Sequence, residues 1–470
     1  MAAPSTKPPE LPPSSIGFAL CFGLVLGLAL WKFGNPVILD SQLTPPATIS
    51  EAWSQSWPPR WSFWFLLPAV LLGLPLARAN RFRCPGSPWL WVLPLAWFAW
   101  QLVSAAQTVD GTLTALTLAQ FGGCLVCYFL ALWGIADERA LRCLLIGLLA
   151  AFSFCLVRAS HQKFFEFPQD RRTLLEGERE GWTNFGPEAV AQLRHDGVIF
   201  TTNGVDRINP LILQKYDKAR AYGTLIYPNG LAGAVLLLLP VTLALAVTGT
   251  RSFRPLTKYL AIGLALFLGL GSLLWSGSKS GWLIAVAMLG VMSFRRNWPA
   301  RWKWAVLVLV LAVGLTAFGL RFRHYFASGA TSVGARFDYW RAAGMNTLDH
   351  PLLGSGPGTF QRPYARLKRP ESEMARLTHN DYLEQFTDSG VFGGLTYLAW
   401  IGLILATIGR RTWREAQPVG LAVFIGLLGW WVQGFSEFGL YIPALAWPAF
   451  ALAGAMLKLT VTPDRAGAAE

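Results

Sequence analysis

Five histidines are scattered through the 470 residues of this chain, at His161, His195, His324, His350 and His379. Only the last stands in a stretch dense in other reactive types. LTHNDYLEQF, Leu377 to Phe386, places a histidine, an amide and two carboxylates just before an apolar run. Thr378 and Asp381 have the spacing of a capping box, which would put His379 in the first turn of a helix. The partial positive charge of a helix N-terminus disfavours imidazolium and attracts phosphate oxygens. His379 is therefore expected as a neutral base beside an anion site, with Asn380 and Asp381 supporting it. Taken alone, a histidine at a helix entrance is more often structural.

Three other segments put polar residues where an apolar chain makes them costly. RAYGTLIYPNGLAG, Arg220 to Gly233, opens an apolar run. Pro228, Asn229 and Gly230 are expected to break the regular backbone early in that helix, where neighbouring protein must satisfy the freed groups. WSGSKSGWL, Trp275 to Leu283, is expected as a tight turn in which Lys279 and backbone N–H groups meet an anion; the alternative is a snorkelling lysine. In ARFDYWRAAG, Arg336 and Trp340 would share a helix face. In the following HPLLGSGPGTF, Gly354, Gly356 and Gly358 are expected to form a flexible turn that lets the chain re-enter the membrane face. A phosphate loop is less expected there, because no strand precedes the glycines. Arg220, Lys279, Arg336 and His379 together describe a site for an anionic substrate, of diphosphate type, whose other partner supplies a hydroxyl. Arginine suits phosphate through its bidentate fork.

The elements that must position these residues follow from composition. The chain is 53% hydrophobic and only 14% charged, with 22 Trp and 30 Phe, against roughly 25% charged residues in a soluble domain. An all-α polytopic membrane protein is expected. A bilayer core needs about 20 mostly apolar residues per helix, and twelve windows supply them: 15–34, 61–79, 89–108, 117–136, 140–158, 223–248, 257–275, 280–294, 302–320, 383–408, 416–436 and 440–459. Twelve spans leave both termini on one side. Arginine and lysine cluster in the even-numbered connections, at Arg78, Arg81 and Arg83; Arg139 and Arg142; Arg251, Arg254 and Lys258; Arg295, Arg296, Arg301 and Lys303; and Arg410, Arg411 and Arg414. Basic residues face the cytoplasm, so both termini are expected there.

Five regions result: N-terminal spans over 1–158, a first long outside loop over 159–222, central spans over 223–320, a second long loop over 321–382, and C-terminal spans with a short cytoplasmic tail over 383–470. All five histidines fall in the two loops, which are expected to be partly helical, as in PEAVAQLRHDG, and to fold onto the membrane face. The net charge of +14 is dispersed among the connections, so topology explains it better than a nucleic-acid partner does. The first apolar run is expected as an uncleaved signal anchor. Cys124 and Cys127 form CLVC inside an apolar helix without a second pair or a nearby histidine, and are expected to pack rather than bind zinc. No Walker A pattern and no GxGxxG before a helix is present.

At these residues the sequence resembles the O-antigen ligase and O-antigen polymerase superfamily. The family's arginine, Gly-Thr and Pro-Asn pattern is similar to RAYGTLIYPNGLA, and its Ser-Arg-Gly/Ser turn to SKSG. Its loop arginine before an aromatic, Gly-rich turn and His-Asn pair resemble RFDYW, LLGSGPGTF and HNDYLEQFTDSGVFGG. The resemblance covers about residues 215–410. It implies an integral-membrane glycosyltransferase, free of cofactor and metal, working on the periplasmic face of the bacterial inner membrane. Its donor would be an undecaprenyl-diphosphate-linked glycan, and its acceptor lipid A core, another glycan or a protein. It further implies that His379 deprotonates the acceptor hydroxyl and that Arg336 neutralises the leaving diphosphate, helped by Lys279 and Arg220. Lys279 departs from the family's arginine, keeping the charge but losing the fork.

Direct attack by the acceptor would invert the anomeric centre without a covalent intermediate. A metal-assisted transferase using Asp40 and Glu51 is the less favoured chemistry, since their spacing offers no evident ligand set. Within the resemblance, a ligase is the leading expectation, with a polysaccharide polymerase and a protein O-oligosaccharyltransferase as variants. A transporter of a small anion or lipid-linked sugar is the rival of another class, although no second copy of the PNG or HND segments marks related halves.

Overall fold

The computed structural model describes residues 13–79, 82, 86–249, 254–295, 298–327, 331–414 and 417–461. Arg81, Arg83, Cys84, Arg251, Arg296 and the expected C-terminal tail from 462 lie outside them, as does the side chain of His324.

Ten helices among the described residues are long and apolar enough to cross a membrane. Two shorter apolar helices, Lys279–Ser293 of 15 residues and Pro418–Gln433 of 16, stand where the eighth and eleventh spans were expected. The roughly twelve expected spans thus correspond, among the described residues, to ten long apolar helices and two shorter ones. At about 1.5 Å per residue neither short helix reaches across a hydrocarbon core of about 30 Å. The first lines the polar site described below, and Gln433 at the end of the second donates to Asn229 O at 2.9 Å.

Small residues let the helices approach closely, as membrane packing favours. A Cβ on Gly23 would lie 2.1 Å from the Leu144 carbonyl oxygen, so Pro13–Lys32 and Glu138–His161 meet backbone to backbone. Gly426 does the same for Pro418–Gln433 against Leu237 of Pro228–Gly249. Cys124 and Cys127 are fully buried within Gly111–Gly134 and present free thiols to the core.

The two long connections are folded. Glu138–His161 runs through a π-turn, Gln162–Glu166, into Phe167–Arg179, well past the expected end of its span. Helix Pro187–His195 follows, as the amphipathic pattern suggested, and then a small antiparallel hairpin, Ile199–Thr202 with Val205–Ile208. Leu174, Trp182, Ile199 and Ile208 form its own small core. The second connection carries Thr331–Asp349 and Gln361–Leu367.

The glycine turn between those two helices is pinned rather than flexible. Gly354, Gly356 and Gly358 have φ of 63°, 102° and 73°, conformations that side chains resist. Ser355 N–H donates to Thr387 O at 3.0 Å and Gly356 N–H to Asp388 O at 2.9 Å. Gly358 N–H donates to the Asp388 carboxylate at 2.8 Å. The turn is thereby tied to helix Asp381–Arg414.

Candidate active site

Four separate segments bring their polar residues to one cavity of about 510 Å³, whose walls include Arg220, Asn229, Lys279, Arg336, Tyr339 and His379. Local chemistry explains how each segment reaches it. Residues 220–227 are not helical, and Pro228 begins the helix Pro228–Gly249. The expected break inside a span is thus corrected: Pro228, Asn229 and Gly230 form the helix's first turn, where a proline's missing N–H costs nothing. Gly277, at φ 60°, ends Pro255–Ser276, and the Ser278 hydroxyl accepts from Gly281 N–H at 3.2 Å to cap the next helix. Lys279 is the first residue of that helix. Its Nζ sits 3.8 Å from the centre of the Tyr325 ring, and Lys279 makes no ion pair among the described residues.

The histidine stretch differs from its expected geometry. Helix Asp381–Arg414 begins after His379, and the cap is Asn380, whose Oδ1 accepts from Tyr382 N–H and Leu383 N–H at 3.1 Å each. Thr378 Oγ1 accepts from Asn380 N–H at 3.2 Å, forming a local turn instead of a capping box. His379 therefore precedes the helix, with φ of 54°, a left-handed conformation rare outside glycine. Its neighbours hold it there. The buried Glu384 carboxylate accepts from Thr378 N–H at 2.6 Å, and Trp340 Nε1 donates to Thr378 O at 3.2 Å. The imidazole lies between Tyr339, stacked at 5.9 Å, and Phe438, edge-on at 4.7 Å. Tyr339 OH donates to Glu373 at 2.7 Å; burial first, and this bond second, push its pKa upward, so it stays a neutral phenol.

Asp381 does not line the cavity. Its carboxylate accepts from Leu440 N–H at 3.2 Å, and its own N–H donates to Gly434 O at 2.7 Å and Glu437 O at 3.0 Å. It thus positions the 434–440 connection, and that connection supplies the residue missing from the sequence reading, Glu437. One Glu437 oxygen accepts from Arg336 Nη2 at 2.5 Å and from Asn229 Nδ2 at 2.7 Å. The other lies 3.5 Å from His379 Nδ1. Arg220 joins through Asn229, donating from Nη2 to its Oδ1 at 2.9 Å and from Nε to Ser276 O at 2.7 Å. Burial draws the Arg220 pKa down from the ordinary guanidinium range; Glu437 opposes this and Arg336 adds to it. An arriving anion would relieve that strain on the charged form. An acid isolated between two apolar helices, as in QGFSEFGLY, is the signal that could have found Glu437.

His379 also faces a second cavity of about 230 Å³, whose walls include Leu39, Arg376, Leu377 and Phe438. Tyr227, Tyr339 and Glu373 border both cavities with it. The carboxylates of the alternative chemistry are engaged elsewhere: Asp40 accepts from Arg60 N–H at 2.8 Å, and Glu51 from Ala47 N–H at 2.8 Å.

The helices define a multi-pass membrane protein. Residues 264–398 match the family model described as O-antigen ligase, a stretch that includes Lys279, Arg336 and His379. The match supports the resemblance to the O-antigen ligase and polymerase superfamily, whose members in general are glycosyltransferase-like membrane enzymes acting on lipid-linked glycans. Arg220, Asn229 and Glu437 lie outside the matched stretch. No curated protein matches the chain significantly.

Proposed function

We propose that this protein is an inverting, metal-independent glycosyltransferase of O-antigen ligase type. It would move a glycan from undecaprenyl diphosphate to a hydroxyl of an acceptor such as lipid A core, on the periplasmic face of the inner membrane. The observation that carries this reading is the place of His379, in the wall between a cavity lined by Arg220, Lys279 and Arg336 and a second cavity without these cations.

The donor diphosphate lies in the first cavity and the acceptor hydroxyl approaches from the second. His379 takes the hydroxyl proton as the acceptor oxygen bonds to the anomeric carbon. The bond from that carbon to the diphosphate oxygen breaks with its electron pair, and the new charge falls among the three cations. Preorganised cations in a water-poor site stabilise such a leaving group, and a positioned base contributes about 10²- to 10⁴-fold. The imidazolium that forms has Glu437 3.5 Å from Nδ1 as its counter-charge, which leaves Nε2 for the acceptor. Asn229 and Glu437 tie Arg220 and Arg336 into one array, so the diphosphate meets a prearranged pair.

The test is complementation of a deletion strain with His379→Ala, scored on the surface glycan and its lipid-linked precursor. Long lipid-linked chains with bare acceptor are expected. Acceptors bearing single repeats would instead identify a polymerase, and normal levels of full-length attached glycan would remove His379 from the chemistry.

A further inference from the structure

A third cavity, of about 570 Å³, lies on the other side of the segment that carries Arg220. Arg220, Tyr227 and Pro228 border the cationic cavity, whereas Tyr222 to Ile226 border this one. The partition is firmly held. Gln162 Oε1 accepts from Gly223 N–H at 2.8 Å and from Tyr222 N–H at 3.1 Å, and its Nε2 donates to Gly223 O at 3.0 Å. Thr224 Oγ1 donates to Leu30 O at 2.9 Å. A Cβ on Gly34 would lie 2.7 Å from Thr224 O, so glycine there lets the segment seat on the end of Pro13–Lys32.

The lining chemistry is specific. Trp31 sits edge-on to Trp53 at 4.7 Å and to Phe154 at 5.6 Å. Trp53 is 65% exposed and Phe154 39%, so these two rings are open, whereas the Lys32 ammonium sits 4.3 Å from the centre of the Trp31 ring. The same lining holds amides and hydroxyls: Gln42, Thr44 and Gln55 make no side-chain hydrogen bond among the described residues, and the fully buried Asn35 has neither amide atom paired. The two cations are already engaged. Arg158 pairs with Glu166, and Lys32 Nζ donates to Trp53 O at 2.5 Å and Gln55 O at 3.2 Å. The lining is mostly aromatic rings and neutral amides and hydroxyls, and such amides suit an acyl chain poorly.

We infer that this cavity binds saccharide. A sugar ring presents an apolar C–H face, which an aromatic surface accommodates, and hydroxyls that donate and accept, which primary amides match. The volume falls within the range of about 300 to 1,000 Å³ usual for ligand pockets. Resting on the glycosyl-transfer reading, the cavity is a subsite for glycan beyond the reacting sugar, separated from the diphosphate by the Arg220–Pro228 wall. The competing role for Trp31 and Trp53 is that of interfacial aromatics at a membrane surface.

The experiment measures saccharide binding to the purified full-length protein in lipid nanodiscs by saturation-transfer NMR. The probes are oligosaccharides released by mild acid from the producing cell's own surface glycan. Native protein and His379→Ala should bind alike, while Trp53→Ala and Gln55→Ala should bind about tenfold more weakly or not at all. Both cavity variants should keep the native melting temperature, because the backbone carbonyls that hold Lys32 remain. Absence of binding by native protein, or unchanged binding by both cavity variants, overturns the subsite. If those variants bind normally while His379→Ala abolishes transfer, the subsite fails and the proposed activity stands. Lost binding in the variants with normal transfer by His379→Ala is the reverse case.

Discussion

His379 and Asp388 stand in one short stretch, HNDYLEQFTDSG, yet the fold uses them oppositely. Asp388 is fully buried, and one carboxylate oxygen accepts from Gly358 N–H at 2.8 Å and Tyr441 OH at 2.6 Å. Below it, Gln385 accepts from Trp97 Nε1 at 2.9 Å and Gln101 Nε2 at 3.0 Å. These groups bind each other and the glycine turn, although the second Asp388 oxygen is buried without a hydrogen-bond partner among the described residues. His379 remains partly exposed to two cavities, and its Nδ1 has only the 3.5 Å contact with Glu437. The comparison teaches that a polar residue among spans can serve structure or chemistry, and that its partners decide which. A buried polar group whose bonds run to its own chain and which no cavity reaches holds the fold; one held in place but left open to a cavity is available to a substrate.

The contrast is broken most directly at the histidine. His379→Ala should lower transfer by about 10²- to 10⁴-fold while leaving accumulation and melting temperature in detergent unchanged. A large drop in melting temperature would instead make His379 another internal anchor. Arg336→Ala comes next, with an expected loss of about 10²- to 10³-fold in turnover, the usual effect of removing one transition-state charge partner. Equal turnover with only weaker donor binding would reduce Arg336 to a docking residue.

Asp388→Ala should show the mirror image, a fold less stable by about 1–3 kcal/mol from the unmet Gly358 and Tyr441 donors. Equilibrium unfolding in mixed micelles measures it, and wild-type stability with lost transfer would collapse the distinction between the two residues. The smallest effect is expected for Lys279→Arg, which should stay within about threefold of native transfer because the charge is kept. Lys279→Ala should fall about tenfold; if it matches native activity, the lysine only packs over Tyr325.

Much of this was legible residue by residue. Hydrophobic windows placed the helices because a bilayer demands long apolar runs, and the Pro187–His195 helix followed its amphipathic pattern. Arg220, Lys279, Arg336 and His379 were conspicuous because charge is costly in such a chain. The two short helices fall at their expected windows, 280–294 and 416–436, the second ending a few residues early, since hydropathy alone does not say where a backbone stops coiling. The cap was misassigned by two residues because Asn380 competes with Thr378 as a cap, and both residue types suit that role.

The sequence by itself determined that the chain is built from membrane helices and that a few cations and one histidine could meet an anion. Composition and local pattern suffice for that, because both depend on residues adjacent in the chain. Tertiary structure alone decided that Glu437 joins Arg336, Asn229 and His379, that Asp381 serves the 434–440 connection, and that the glycine turn is locked by Asp388. Those pairings connect residues far apart along the chain, and no local spacing encodes which distant carboxylate will fill the place a buried cation needs.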